Sequence, residues 1–215
     1  LGGAIGMATM GRRTALWKAA VWGAVAATLP DLDVFIDHGD PIRNMVLHRA
    51  ETHAPFWLIL LSLPLAAAAA RLHGEWSLWR RWWLAIGLAL LSHPLLDTLT
   101  VYGTQIALPF SDQPYGVGSI FIIDPLYTLP LLIGTGVALK AGHGGAGLRW
   151  NLAGLVLSTA YLGWSALAQQ QVQGVAQAAL LERGLQPQQL LVTPTPFNTV
   201  LWRVVAITPD AFHEG

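Results

Sequence analysis

The chain contains no cysteine. That excludes disulfides and thiolate metal sites, so any metal must be held by histidine, aspartate, glutamate or backbone oxygen. Charge is equally scarce. Only 11% of the residues are Asp, Glu, Lys or Arg, against roughly 25% in an average soluble domain. The net charge is zero and no basic stretch is interleaved with aromatics, so nucleic acid is not an expected partner. No His-Glu-x-x-His helix and no Gly-x-Ser-x-Gly elbow occurs, which removes the zinc-protease and serine-hydrolase readings. The sequence opens on Leu1 with no charged n-region or cleavage site, so its start does not read as a signal peptide. It stops at "PDAFHEG" without a natural ending, and truncation is expected at both ends.

What is present is hydrocarbon. Hydrophobic residues make up 53% of the 215, and mean hydropathy is +0.48, which reads as a membrane protein with the lipid bilayer as its first partner. A helix needs about 20 apolar residues to cross the hydrocarbon core. Five segments approach that length, near 14–29, 55–71, 82–101, 119–139 and 150–168. The first is the shortest and contains Lys18, which fits a span only if its ammonium snorkels to the interface. Residues 1–11, with four glycines, suggest a re-entrant or interfacial helix. The ten tryptophans mostly flank the spans, as an interfacial belt does. Beyond 168 the chain turns polar, as a helix ended by Gly184 and Pro187. The run "LLVTPTPFNTVLWRVVAIT" then reads as extended chain or strands. The expected organisation is a helical bundle over 1–168 with a polar helix and extended tail over 169–215.

Alternating five spans sorts the charges. Arg12, Arg13, Lys18, Arg71, Arg80, Arg81, Lys140 and Arg149 fall on one side, eight of the twelve basic residues, with one of the twelve acids, Glu75. The positive-inside rule makes that side cytoplasmic. The opposite side collects four polar clusters at span ends: "LPDLD" (29–33), "HRAETH" (48–53), "SHPLLD" (92–97) and "DPLYT" (124–128).

His93 and Asp97 stand four apart and share one helical face. Ionisable groups inside a membrane helix are costly and usually mark a site. Asp31 and Asp33 add hard oxygens, and His48 and His53 add imidazoles. Such mixed sets suit zinc, manganese or iron, singly or clustered, as activators of water for hydrolysis. Each element also has a plainer reading. Asp31 and Asp33 could be turn formers, Pro94 could kink the helix at His93, and His48 and His53 could be ordinary loop histidines. Asp124, before a proline, could be a helix N-cap. Asp37, His38 and Asp40 read as a solvated loop, and His73, His143 and His213 as loop or tail residues without partners. Arg49, beside His48, suits an anionic group such as phosphate, or a lipid headgroup.

The ordered words "LPDLD", "HRAETH", "SHPLLDTLTVYGTQIALPFS" and "DPLYTLPLL" resemble the YdjM-like family of membrane-bound metal-dependent hydrolases over roughly residues 1–140. The tail "PTPFNTVLWRVVA" resembles longer bacterial members. The Pro-Asp and Ser-His-x-x-x-Asp elements are also remotely similar to zinc-dependent phospholipase C and P1-type nucleases. Carried over by position, the resemblance implies Asp31, Asp33, His48, His53, His93 and Asp97 as metal ligands. Departures stand at Ala50, Ala54 and Met7, where members commonly carry Gly, Ser and Glu.

The resulting expectation is an all-α, polytopic integral membrane bundle of about five spans with a short extended or β-forming C-terminal tail. Its expected activity is hydrolysis of a phosphoester or lipid-derived substrate at the outer face of the cytoplasmic (inner) membrane. A divalent metal, zinc first with manganese or iron as alternatives, would activate water. Asp124 would be the general base or a supporting carboxylate, and Arg49 would be a substrate contact. Two rivals use the same residues. A metal or proton transporter would place them at the midplane with access from both faces. A scaffold protein would close a structural metal off completely.

Overall fold

The structure, a computed structural model, describes residues 1–142, 145–209 and 211–215. Among these lie seven α-helices: α1 (Gly2–Met10), α2 (Leu16–Thr28), α3 (Pro41–Leu47), α4 (Pro55–Leu72), α5 (Trp79–Asp97), α6 (Pro125–Ala141) and α7 (Gly145–Glu182). Proline starts three of them. Pro41, Pro55 and Pro125 each occupy the first turn, where the missing N–H costs no hydrogen bond. Asp40 and Asp124 cap α3 and α6 by accepting from backbone N–H groups, for Asp124 those of Leu126 (2.9 Å) and Tyr127 (3.4 Å).

Each of the five expected segments contains a helix, but their lengths differ. Among the described residues, α4 and α7 are long and apolar enough to cross a membrane, and α6 is a shorter apolar helix. Helix α2 has 13 residues, about 20 Å of rise. Helix α5 has 19, but its first turns carry Arg80, Arg81 and three tryptophans. Residues 2–10, expected as a re-entrant or interfacial helix, are helical. They form α1, packed against α2, α5 and α7 with Met7 and Met10 fully buried. Its glycines make this possible, since a β-carbon at Gly2 or Gly6 would collide with the carbonyl oxygens of Gly23 or Ala19.

Helix α5 organises the core. Trp82, Ala85, Ile86, Ala89 and Leu90 form one buried stripe, at the spacing of a single helical face. They pack with Met7, Met10, Leu16, Leu58 and Ala66 from α1, α2 and α4. At one end of the bundle Glu75, between α4 and α5, accepts hydrogen bonds from Thr14 (2.8 Å), Lys18 (3.0 Å) and Trp82 (3.1 Å). His73 beside it is not a free loop histidine. Its Nε2 accepts from Trp22 Nε1 at 2.9 Å, and its ring stacks on Trp82 at 5.9 Å. His143 lies outside the described residues.

The 38-residue α7 packs along α6 and then continues past the bundle to meet the tail. There β1 (Gln189–Pro194), β2 (Trp202–Ile207) and β3 (Phe212–Glu214) form an antiparallel sheet in the order β1-β2-β3, with Val192 opposite Val204. The protein is therefore mostly helical with a small C-terminal sheet. Two side chains tie the tail down. Gln169 donates to the carbonyls of Val117 and Val192, and Tyr161 Oη bonds Asp124 Oδ2 (2.8 Å) and Thr199 Oγ1 (2.9 Å).

Candidate metal centre

The buried stripe of α5 continues into the site. One turn beyond Ala89 and Leu90 comes His93, and one turn further comes Asp97, both at the end of the bundle opposite Glu75. Two short 3₁₀ turns bring the partners. Residues Pro30–Phe35 follow α2 and carry Asp31 and Asp33, and residues Glu51–His53 precede α4 and carry His53.

Asp31, His53, His93 and Asp97 each offer one ligand atom, all within 4.8 Å of one another, and can together hold a metal ion. His93 Nε2 lies 3.2 Å from Asp31 Oδ1 and 3.3 Å from Asp97 Oδ2. His53 Nε2 lies 3.5 and 3.4 Å from the same two oxygens. A tetrahedral ion with ligand bonds of about 2.0–2.1 Å spaces its ligands about 3.3 Å apart. The four nitrogen–oxygen separations match that edge. Two of the atoms, His53 Nε2 and Asp97 Oδ2, are buried without a hydrogen-bond partner. Burying unpartnered polar atoms is costly, and a shared cation removes that cost. The donor set therefore fits a divalent metal, in a site bordered by the half-exposed Asp31 side chain.

The 3₁₀ turn decides how the two aspartates divide. At 3.0 residues per turn, side chains two apart point about 240° from each other. Asp31 enters the four-residue group, where the His53 and His93 rings hold its carboxyl well below the usual carboxylate range. Asp33 faces the next layer. Its Oδ1 bonds His48 Nδ1 at 2.7 Å, and its Oδ2 accepts from Thr52 Oγ1 (2.5 Å) and the Arg49 N–H (3.3 Å). Asp33 Oδ2 also lies 3.6 Å from His53 Nδ1, the ring nitrogen turned away from the other three ligands. Outer carboxylates of this kind fix the orientation of a ligand histidine.

Arg49 adopts a left-handed backbone at φ 69°. That conformation is sparsely populated for a side-chain-bearing residue and is held by its surroundings. Its guanidinium reaches Thr100 Oγ1 at 2.9 Å, lies 3.5 Å from Asp97 Oδ1, and sits 5.2 Å from the Tyr102 ring centre. The site thus gathers three carboxylates (Asp31, Asp33 and Asp97) and one guanidinium, which lies beside Asp97, and a single divalent cation would balance the remaining charge.

Of the expected site residues, Asp31, His53, His93 and Asp97 converge, and Asp33, His48 and Arg49 surround them. Asp124 is placed elsewhere. Its side chain caps α6 and accepts from Tyr161, and none of its partners belongs to the four-residue group. Thr52, Thr100 and Tyr102 were not expected. Thr52 adjoins His53 in sequence, whereas nothing in the sequence pointed to the other two.

Fold and site together define a helical protein with a two-histidine, two-aspartate centre at one end of its bundle. The profile of the family described as YdjM inner membrane protein matches residues 1–172, and the chain belongs to that family. No curated protein and no solved structure matches it significantly.

Proposed function

We propose that this protein is a metal-dependent hydrolase of the inner membrane, with five spans and its site on the non-cytoplasmic side. The substrate is a phosphoester or a lipid-derived molecule. The observation that carries this reading is the four-ligand set, with two orphaned buried atoms at tetrahedral spacing. The gathering of basic residues at the end opposite the site supports the orientation. A divalent ion, zinc by the donor chemistry, would supply activation of water and neutralise developing charge.

The chain's own residues supply the rest. Asp33 and Thr52 orient His53, and Asp33 also orients His48. In a phosphoester hydrolysis the water oxygen bonds to phosphorus, the ester P–O bond breaks, and a water proton passes to the leaving alcohol. His48, lining the adjacent cavity, would carry that proton, and Arg49 would meet the phosphoryl charge. A transporter site belongs at the midplane with access from both faces. Here the ligands stand at the end of α5 and on the short turns beside α2 and α4, which favours the enzyme.

Elemental analysis of the detergent-purified protein tests the reading. About one equivalent of zinc or another divalent metal is expected, lost in a His93→Ala, Asp97→Ala double variant that keeps its helical circular dichroism. Metal in the wild type should accompany hydrolysis of a chromogenic phosphoester. A wild-type protein that binds no metal under metal-replete conditions sinks the proposal.

A further inference from the structure

Beside the centre lies a cavity of about 770 Å³, within the range of small-molecule sites. One wall comes from α3 and the chain before it, with Val34, Ile36, Met45 and Val46, and the other from Val101 and Ile122. The end nearest the four ligands is polar, with Asp33, His48 and Arg49. The cavity is therefore mainly apolar, with Asn44, Gln105 and Tyr102 as further polar lining residues, and charged where it meets the four ligands.

Its outer rim is apolar as well. Helix α3 buries none of its residues, and Ile42 and Met45 are 70% and 71% exposed. Val34 and Phe35, just before it, are 67% and 82% exposed. An apolar patch of this kind is not stable against water and marks a contact surface. In a member of an inner-membrane family the partner such a surface suits is lipid, and Val34 and Met45 belong both to this patch and to the cavity wall.

We propose that this cavity takes the hydrocarbon chain of a phosphate-headed lipid from the surrounding bilayer, with the head held by Arg49 and His48. Arg49 has five N–H donors. Those shown in use belong to Nη1, on Thr100, and Nη2, beside Asp97. The planar guanidinium is suited to phosphate oxygens. An apolar slot gives nothing to a free phosphate ion, whereas each buried methylene of a chain adds affinity. The proposal deepens the hydrolase reading and rests on it for its catalytic meaning. The lipid is then the substrate, and water cleaves its ester P–O bond to give a lipid alcohol and inorganic phosphate.

The test uses the full chain in nanodiscs with an alkyl phosphate carrying a diazirine near the chain end, and crosslinks are mapped by mass spectrometry. Zinc content and melting temperature are measured on the same samples. Crosslinks are expected to concentrate on residues 34–46 and 101–122. They should fall about tenfold in Val46→Trp, Val101→Trp, the equivalent of roughly two methylenes excluded from the slot. Retained zinc and an unchanged melting temperature would show that this variant still folds, and Met45→Trp alone gives a milder blockade. Crosslinks spread evenly over the apolar surface of α4, α6 and α7, untouched by filling the slot, overturn the proposal. So does equal labelling by the matching alkyl alcohol, or displacement of the probe by inorganic phosphate as effectively as by unlabelled alkyl phosphate. Pocket labelling in a protein that binds no zinc would leave the lipid site standing and remove the hydrolase. Zinc binding without pocket labelling would do the reverse.

Discussion

Asp31 and Asp33 are two residues apart and chemically identical, yet they contribute at different depths. Asp31 stands among the four ligand atoms, whereas Asp33 is occupied by His48, Thr52 and the Arg49 backbone. Replacing Asp33 with Asn should leave the ligands in place but loosen the orientation of His53, weakening metal affinity about 10–100-fold. Competition against a chelator of known strength measures this, and Asp31→Asn should cost more. Affinity unchanged in Asp33→Asn would show that the outer carboxylate is dispensable. The sequence named all four convergent residues, because His and Asp are costly to hold at the ends of apolar spans unless they serve a site. It could not separate Asp31 from Asp33. That distinction depends on a 3₁₀ turn, whose angular step no composition reveals. Asp124 showed the same limit: an aspartate before a proline reads equally as base or cap, and here its oxygens serve α6 and Tyr161.

Helices long in apolar residues were legible, and the contacts between them were not. The position of α1 inside the bundle follows from glycines that admit a neighbouring backbone, a property of the pair rather than of either segment. Glu75 is a second case. It read as the lone acid on a basic side, and it pins α2 to the α4–α5 connection through Thr14, Lys18 and Trp82. Burial opposes its ionisation. The three hydrogen bonds outweigh that and hold the carboxyl below its ordinary value of 4.5. A carboxyl depressed in the folded state contributes stability in full above its unfolded value and loses it as pH falls through the folded one. Thermal stability in detergent should therefore decline below pH 4.5. Glu75→Gln should flatten that decline and cost about 1–3 kcal/mol at neutral pH. The same acid slope in the variant would assign the decline to other carboxylates.

Across the whole molecule, the site lies at the end of α5 opposite Arg80 and Arg81, and the proposed five-span arrangement would assign those ends to opposite sides of the membrane. The lack of native cysteine makes this easy to check. A cysteine at partly exposed His38 should react with an impermeant maleimide in intact spheroplasts, and one at exposed Arg149 only after lysis. The reverse pattern would invert the topology and place the site in the cytoplasm. The sheet was legible as β-branched runs broken by Thr-Pro steps. Its position was not, because it depends on the surplus length of α7. That helix has 38 residues and rises about 57 Å, nearly twice the roughly 30 Å of a hydrocarbon core.

The two walls of the cavity are unequally braced. The 101–122 wall is clamped from behind by Gln169, which grips Val117 and Val192 together, and by Asp124, held through Tyr161 to Thr199. The α3 wall buries none of its side chains and has no such backing among the described residues. The slot is a vice with one fixed jaw and one sprung jaw. Differences in the girth of a lipid chain in the slot would then be absorbed by displacement of α3, while Arg49, anchored to Thr100 on the fixed side, would keep its distance from the four ligands.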